Sequence, residues 1–145
     1  MKKLTIDFGV EEFEINGGKI LRFNPADLNV YNRLLDAQKK IIDIERRLEE
    51  GAEKLPPENT AEAAFELMAE ADAEMKKLLQ EIFGTENDFF DIFEGVNVMS
   101  VAANDERVIT NFLAAIIPII EEGAQRAARV RAKNAAGKVR ANRGR

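Results

Sequence analysis

The spacing of apolar residues changes period at Asn24-Pro25, and that change constrains the fold more than any other feature. Before it, apolar residues alternate: Leu4, Ile6 and Phe8, then Phe13 and Ile15, then Leu21 and Phe23. Alternation places successive side chains on opposite faces of a strand. After it, apolar residues recur three and four apart, which marks one face of a helix. The pattern predicts a mainly α (α+β) fold, with an N-terminal β-hairpin followed by a bundle of about four helices.

The expected hairpin loop is Asn16-Gly17-Gly18. With those residues unpaired, Ile15 opposes Lys19 and Phe13 opposes Leu21, so the aromatic-rich runs share a face. A type I turn followed by Gly18 in the left-handed conformation suits this register. The hairpin is expected over residues 4–23, packed on helices, because an isolated hairpin is marginal in water.

Asn24-Pro25-Ala26-Asp27 reads as a helix start, with Asn24 as cap, Pro25 at the first helical position and Asp27 in the first turn. The apolar residues Leu28, Tyr31, Leu34, Leu35, Ile41, Ile44 and Leu48 carry it to Gly51, about 39 Å of helix at 1.5 Å per residue. Residues 51–59, with Pro56-Pro57, form the linker. A second helix, capped by Asn59 or Thr60, carries Phe65, Met68, Met75, Leu79 and Ile82 and closes at Gly84. Asp72 lies within its apolar stripe. It marks either the solvent boundary or a buried acid paired with a base from another helix. A short third helix follows Thr85-Glu86-Asn87-Asp88 and holds Phe89, Phe90, Ile92 and Phe93 before Gly95. Ser100 or Asn104 caps the fourth. Its apolar residues Val108, Ile109, Phe112, Leu113, Ile116, Ile117, Ile119 and Ile120 cover more than one face, which predicts the most buried helix of the four. Pro118 is expected to kink it.

From Ala124 onward the chemistry changes. Arg126, Arg129, Arg131, Lys133, Lys138, Arg140, Arg143 and Arg145 occur without a single acid, leaving a net charge of −13 on the first 123 residues. The expected division is a compact domain over residues 1–123 and a basic arm over 124–145, helical at first and disordered in its last eight residues. Such an arm suits a phosphate backbone, as in a small nucleic-acid-binding or regulatory protein. It equally suits an acidic protein surface, a second copy's included, or simple solvation. It has no aromatic residue to stack on bases, and the acidic body repels nucleic acid.

The chain has no His, no Cys and one serine, Ser100. Nucleophile–His constellations, thiolate metal sites and disulfides are therefore excluded. Carboxylates remain, in two groups: Glu70, Asp72 and Glu74, and Asp88, Asp91 and Glu94. A metal-dependent hydrolase would have to be built on these, without the glycine-centred loop that usually helps hold a hard cation. There is no phosphate-binding loop or dinucleotide fingerprint. A non-enzymatic protein without cofactor or metal is expected. The N-terminus lacks the apolar core of a signal peptide. The Val108–Ile120 run is shorter than the roughly 20 residues that span a bilayer, so a soluble, intracellular protein is expected.

Two stretches carry a resemblance. Asp7-Phe8-Gly9, Glu14-Ile15-Asn16-Gly17 and Leu21-Arg22-Phe23-Asn24-Pro25 resemble the start of small tail-assembly proteins of long-tailed phages and prophages of Gram-positive bacteria. Phe93-Glu94-Gly95-Val96-Asn97-Val98, followed by Asn111-Phe112-Leu113-Ala114-Ala115-Ile116-Ile117, is similar to their second half. The resemblance implies a tail assembly chaperone. Such a protein coats the tape measure protein, keeps it soluble, helps recruit tail tube subunits and self-associates. It acts in the cytoplasm of the bacterial host and is not expected in the mature virion. Some members are made in two lengths by a ribosomal frameshift. The Arg-rich ending departs from this pattern, which leaves the role of the arm open. A binder of long helices needs a groove lined by flexible and aromatic side chains. Phe65, Met68, Met75, Phe89, Phe90 and Phe93 are the candidates, and each suits the core as well.

Overall fold

The computed structural model describes residues 1–143, with side chains through Gly137. Its elements are β1 (Glu11–Ile15), β2 (Lys19–Phe23), α1 (Leu28–Glu53), α2 (Thr60–Phe83), α3 (Phe89–Ile92) and α4 (Val108–Arg143). A two-stranded antiparallel hairpin thus precedes four helices, as the periodicity implies.

The hairpin keeps the expected register, Phe13 opposite Leu21 and Ile15 opposite Lys19. Its turn differs. Positive φ falls on Asn16 (51°) and Gly17 (72°) rather than on Gly18. The Gly18 N–H donates to the Ile15 carbonyl at 3.0 Å. That is a type I′ turn, which demands two left-handed residues and accepts Asn-Gly more readily than most pairs. The hairpin is also shorter than 4–23, because β1 begins at Glu11. The Asp7 carboxylate accepts the Gly9 N–H at 2.7 Å, Gly9 has φ +71°, and the Asn24 amide donates to the Phe8 carbonyl at 2.8 Å. These contacts turn the chain before it can continue as strand, so Leu4, Ile6 and Phe8 remain exposed.

Asn24 is therefore not the cap of α1. It closes a turn through Ala26, whose N–H donates to the Asn24 side chain. Asp27 is the cap, accepting from the Asn29 N–H at 2.9 Å. Its carboxylate also sits well against the helix dipole. The helix does not stop at Gly51 but runs through it to Glu53, and Leu67 of α2 fills the space a side chain there would need.

The helices α1 and α2 form the central pair. Arg33 contacts Ile82, Arg47 pairs with Glu74 and Gly51 meets Leu67, so rising numbers on one helix match falling numbers on the other. The two helices are antiparallel. Val30, Leu34, Ala37, Ile41, Ile44 and Leu48 line the α1 seam. Ala71, Met75, Leu78, Leu79, Ile82 and Phe83 meet them from α2, which Gly84 ends as expected.

The most buried helix is not α4. Its buried residues Ile109, Phe112, Ile116, Ile120 and Gly123 form one stripe, while Thr110, Ala114, Ala115, Pro118 and Glu121 face outward. Its second apolar face, Leu113 and Ile117, is only half covered. The helix is continuous through Pro118. Neither Ser100 nor Asn104 precedes its first residue. The segment between them folds back, with the Val108 N–H donating to the Ser100 carbonyl and Val101 bridging Arg107. Over Val108–Gly137 the helix is long and apolar enough, by length and composition, to cross a bilayer, because it continues well past Ile120.

Candidate partner-binding surfaces

Six of the nine phenylalanines form one chain of contacts. Phe13 stacks on Phe23 with ring centroids 5.0 Å apart, and Phe23 meets Phe83 edge-on at 5.0 Å. Phe83, Phe89, Phe93 and Phe112 complete the cluster at 5.4–6.1 Å. Edge-on pairs of this kind contribute about 0.5–1.5 kcal/mol each beyond area burial. The cluster ties hairpin, α2, α3 and α4 together through Phe83, Phe89 and Phe112, each of which meets three other rings. The other three, Phe8, Phe65 and Phe90, are 72%, 77% and 49% exposed. That division separates core from candidate surface.

Of the residues the sequence marks for a partner, Met75 and Phe89 are fully buried and belong to the core. Phe93 and Met68 are half-buried at its edge. Phe65 and Phe90 face solvent. Phe65, Met68, Asp72 and Lys76 occupy one stripe of α2 at spacings of three, four and four, a length of about 16 Å.

A buried ion pair organises the middle of this stripe. Lys76, only 2% exposed, donates to Asp72 at 2.9 Å and to the Val96 carbonyl at 3.0 Å. Its ammonium lies 4.9 Å from the centre of the Phe90 ring. The other Asp72 oxygen accepts the Val98 N–H at 2.8 Å, and the Asn97 side chain donates to the Met68 carbonyl at 3.0 Å. Asp72 is thus a largely buried acid, as one of the two readings had it, but its base comes from its own helix. Together the contacts hold the Val96–Val98 loop on α2, with Phe65 at one end of the face and Phe90 and Val96 exposed at the other.

A second surface follows β1. Two concave stretches separate this strand from α4. One, of about 540 Å³, lies among Ile15, Phe93, Val96, Val108, Phe112 and Ala115. The other, of about 320 Å³, lies among Phe13, Pro25, Ile119 and Gly123. Glu14 and Glu94 rim the first, and Glu11, Glu122, Arg126 and Arg129 the second. The two stretches of sequence that carry the family resemblance meet at the first of these.

Sequence reasoning missed three features here. The exposure of Leu4, Ile6, Phe8 and Val10 had a signal: apolar residues fall on even positions through Val10 and on odd ones from Phe13, and one strand cannot hold both on one face. Asn87 had none. Its side chain accepts the Arg22 N–H at 2.9 Å and donates to the Arg22 carbonyl at 2.8 Å, and also to Phe83. It thereby blocks the outer edge of β2 at Arg22. Lys76, the third, is not singled out by the apolar periodicity of its helix.

The carboxylates are engaged elsewhere. Asp88 caps α3, Asp91 pairs with Lys19 at 2.9 Å, and Glu74 pairs with Arg47 at 2.6 Å. Among the described residues no three acids converge on a possible cation position. Beyond Gly123, Arg126, Arg129, Arg131 and Lys133 are all exposed along α4. The side chains of Lys138 and Arg140, and the expected disorder of residues 138–145, lie outside the described side chains. In comparisons with family models, curated proteins and solved structures, the chain matches none.

Proposed function

We propose that this chain is a tail assembly chaperone. It binds the helical tape measure protein of a long-tailed phage in the cytoplasm of the bacterial host and keeps it soluble until tail tube subunits assemble around it. It is then absent from the finished virion. The observation that carries this reading is one face of α2, with exposed Phe65 and half-buried Met68 toward one end, exposed Phe90 and Val96 at the other, and a loop pinned to the helix between them. Scattered surface apolar residues are ordinary, but two exposed aromatic residues and Val96 on one face favour an interaction surface. The resemblance of the two sequence stretches supplies the class of client. The reaction inventory agrees, since binding requires no nucleophile or general base.

The test is co-production with a long helical tape measure protein. A soluble client recovered with this chain, and lost in the Phe65→Asp, Phe90→Asp double variant with unchanged circular dichroism, supports the proposal. A client equally soluble without the chain overturns it.

The exposed cations of α4 favour a second reading, a nucleic-acid-binding protein. Titration with duplex DNA between 50 and 200 mM salt separates the two. Binding through only a few phosphates falls by roughly an order of magnitude or more over that range. Tight binding that survives it favours the second reading.

A further inference from the structure

We infer that the N-terminal segment Leu4–Phe8 is a strand that completes a second copy of this chain, by adding to the free edge of β1 and filling the trough between β1 and α4.

The two edges of the hairpin are treated differently. On β2, both backbone groups of Arg22 are held by the Asn87 side chain. Among the described residues β1 pairs only with β2, so its other edge presents unpaired N–H and C=O groups to solvent. A free edge is a template for another strand unless something blunts it. Beneath this edge, Phe13 and Ile15 are only half-buried, and the trough beyond them is floored by Phe112, Ala115 and Ile119 of α4. An added strand would therefore need apolar side chains at every second position. Its other face, beside Glu12 and Glu14, would need to be polar and would gain from a cation.

One segment of this chain has that pattern and no partner. Leu4 (88% exposed), Ile6 and Phe8 lie on one face, and Lys3, Thr5 and Asp7 on the other. The segment does not serve its own β1. The Asn24 amide holds the Phe8 carbonyl at the end of β2, across the hairpin from the free edge. A side chain at Gly9 would strike Asn24, so this bend is tightly fixed. A second copy supplies what the first cannot. Each chain then has one donor segment and one acceptor edge, so a closed pair and an open series both satisfy the geometry. The proposed client-binding face shares Val96 with this trough, but Phe65 and Phe90 lie outside it, so variants at Ile6 and at Phe65 and Phe90 test the two readings separately.

The experiment is sedimentation of the full chain over a wide concentration range, alone and as Ile6→Asp. The wild type should associate. The variant should weaken association about tenfold to a hundredfold, the loss expected for one buried aliphatic side chain, while its circular dichroism and melting stay unchanged. The chain has no native cysteine, so mixed copies carrying Thr5→Cys in one and Glu14→Cys in the other, two positions on the same face of the joined sheet, provide a direct check. A cross-linked heterodimer is expected under mild oxidation. A wild type that stays monomeric, an Ile6→Asp variant that associates normally, or a segment that binds anionic lipid vesicles while the chain remains monomeric would each overturn the inference.

Discussion

Gly123 of α4 lies directly against the carbonyl of Pro25, so closely that even a methyl group on Gly123 would overlap it. This contact sets how near α4 comes to the corner between β2 and α1. Because the neighbour is backbone rather than a flexible side chain, neither partner can yield locally. Gly123→Ala should therefore lower stability by about 3 kcal/mol, or roughly 10 °C in Tm, as an overpacked contact does. Gly137→Ala, in open space on the same helix, should stay within about 0.5 kcal/mol of wild type. Paired thermal and urea melts distinguish the two.

Removing one member of the Lys76–Asp72 pair leaves the other largely buried without its counter-charge. Lys76→Met should cost about 3 kcal/mol. The double variant Asp72→Leu, Lys76→Met should recover part of that loss, though the Val98 N–H then lacks its acceptor. A double-mutant cycle in urea measures the coupling, which should exceed about 1 kcal/mol.

Asn87→Ala should cost about 2–4 kcal/mol, because three hydrogen bonds to backbone groups vanish together. Asn87→Asp should be comparably damaging, since a carboxylate cannot donate to the Arg22 and Phe83 carbonyls. The specific signature is faster hydrogen exchange at the Arg22 amide, against little change at α1.

Asp43 sits between Arg46 and Arg47 on the outer face of α1. The hydrogen bond from Arg46, followed by that from Arg47 and the charges of both, holds its carboxyl below the ordinary 3.8. A depressed carboxylate contributes stability that is present above the unfolded value and lost as pH falls through the folded one. Its contribution therefore fades below about pH 3.8 and is unchanged at neutrality. An NMR titration should find the Asp43 midpoint below 3.8 in wild type and closer to it in Arg46→Gln.

The change of period at Asn24-Pro25 was enough to place hairpin and helices, since burial of an amphipathic face is what each pattern encodes. Registers set by a single hydrogen bond were not legible. The cap moved from Asn24 to Asp27 because Asn24 is occupied by Phe8 and Ala26, a competition visible only in three dimensions. The apolar excess of α4 misled for a related reason: composition counts side chains, whereas burial depends on how many neighbours arrive. Only one stripe of α4 found them. For the surfaces, sequence identified the residue types but not their sides. Met75 and Phe65 lie ten residues apart on α2, one sealed inside and one in water.

The Asn87 side chain has a consequence for assembly. By occupying both backbone groups of Arg22 it blunts the β2 edge and leaves β1 the more open side of the small sheet. A guest strand meets fewer obstacles at β1, where among the described residues no side chain holds the outer backbone groups. Because every copy carries one donor segment and one open edge, copies would join head to tail through single strands rather than by stacking sheet on sheet.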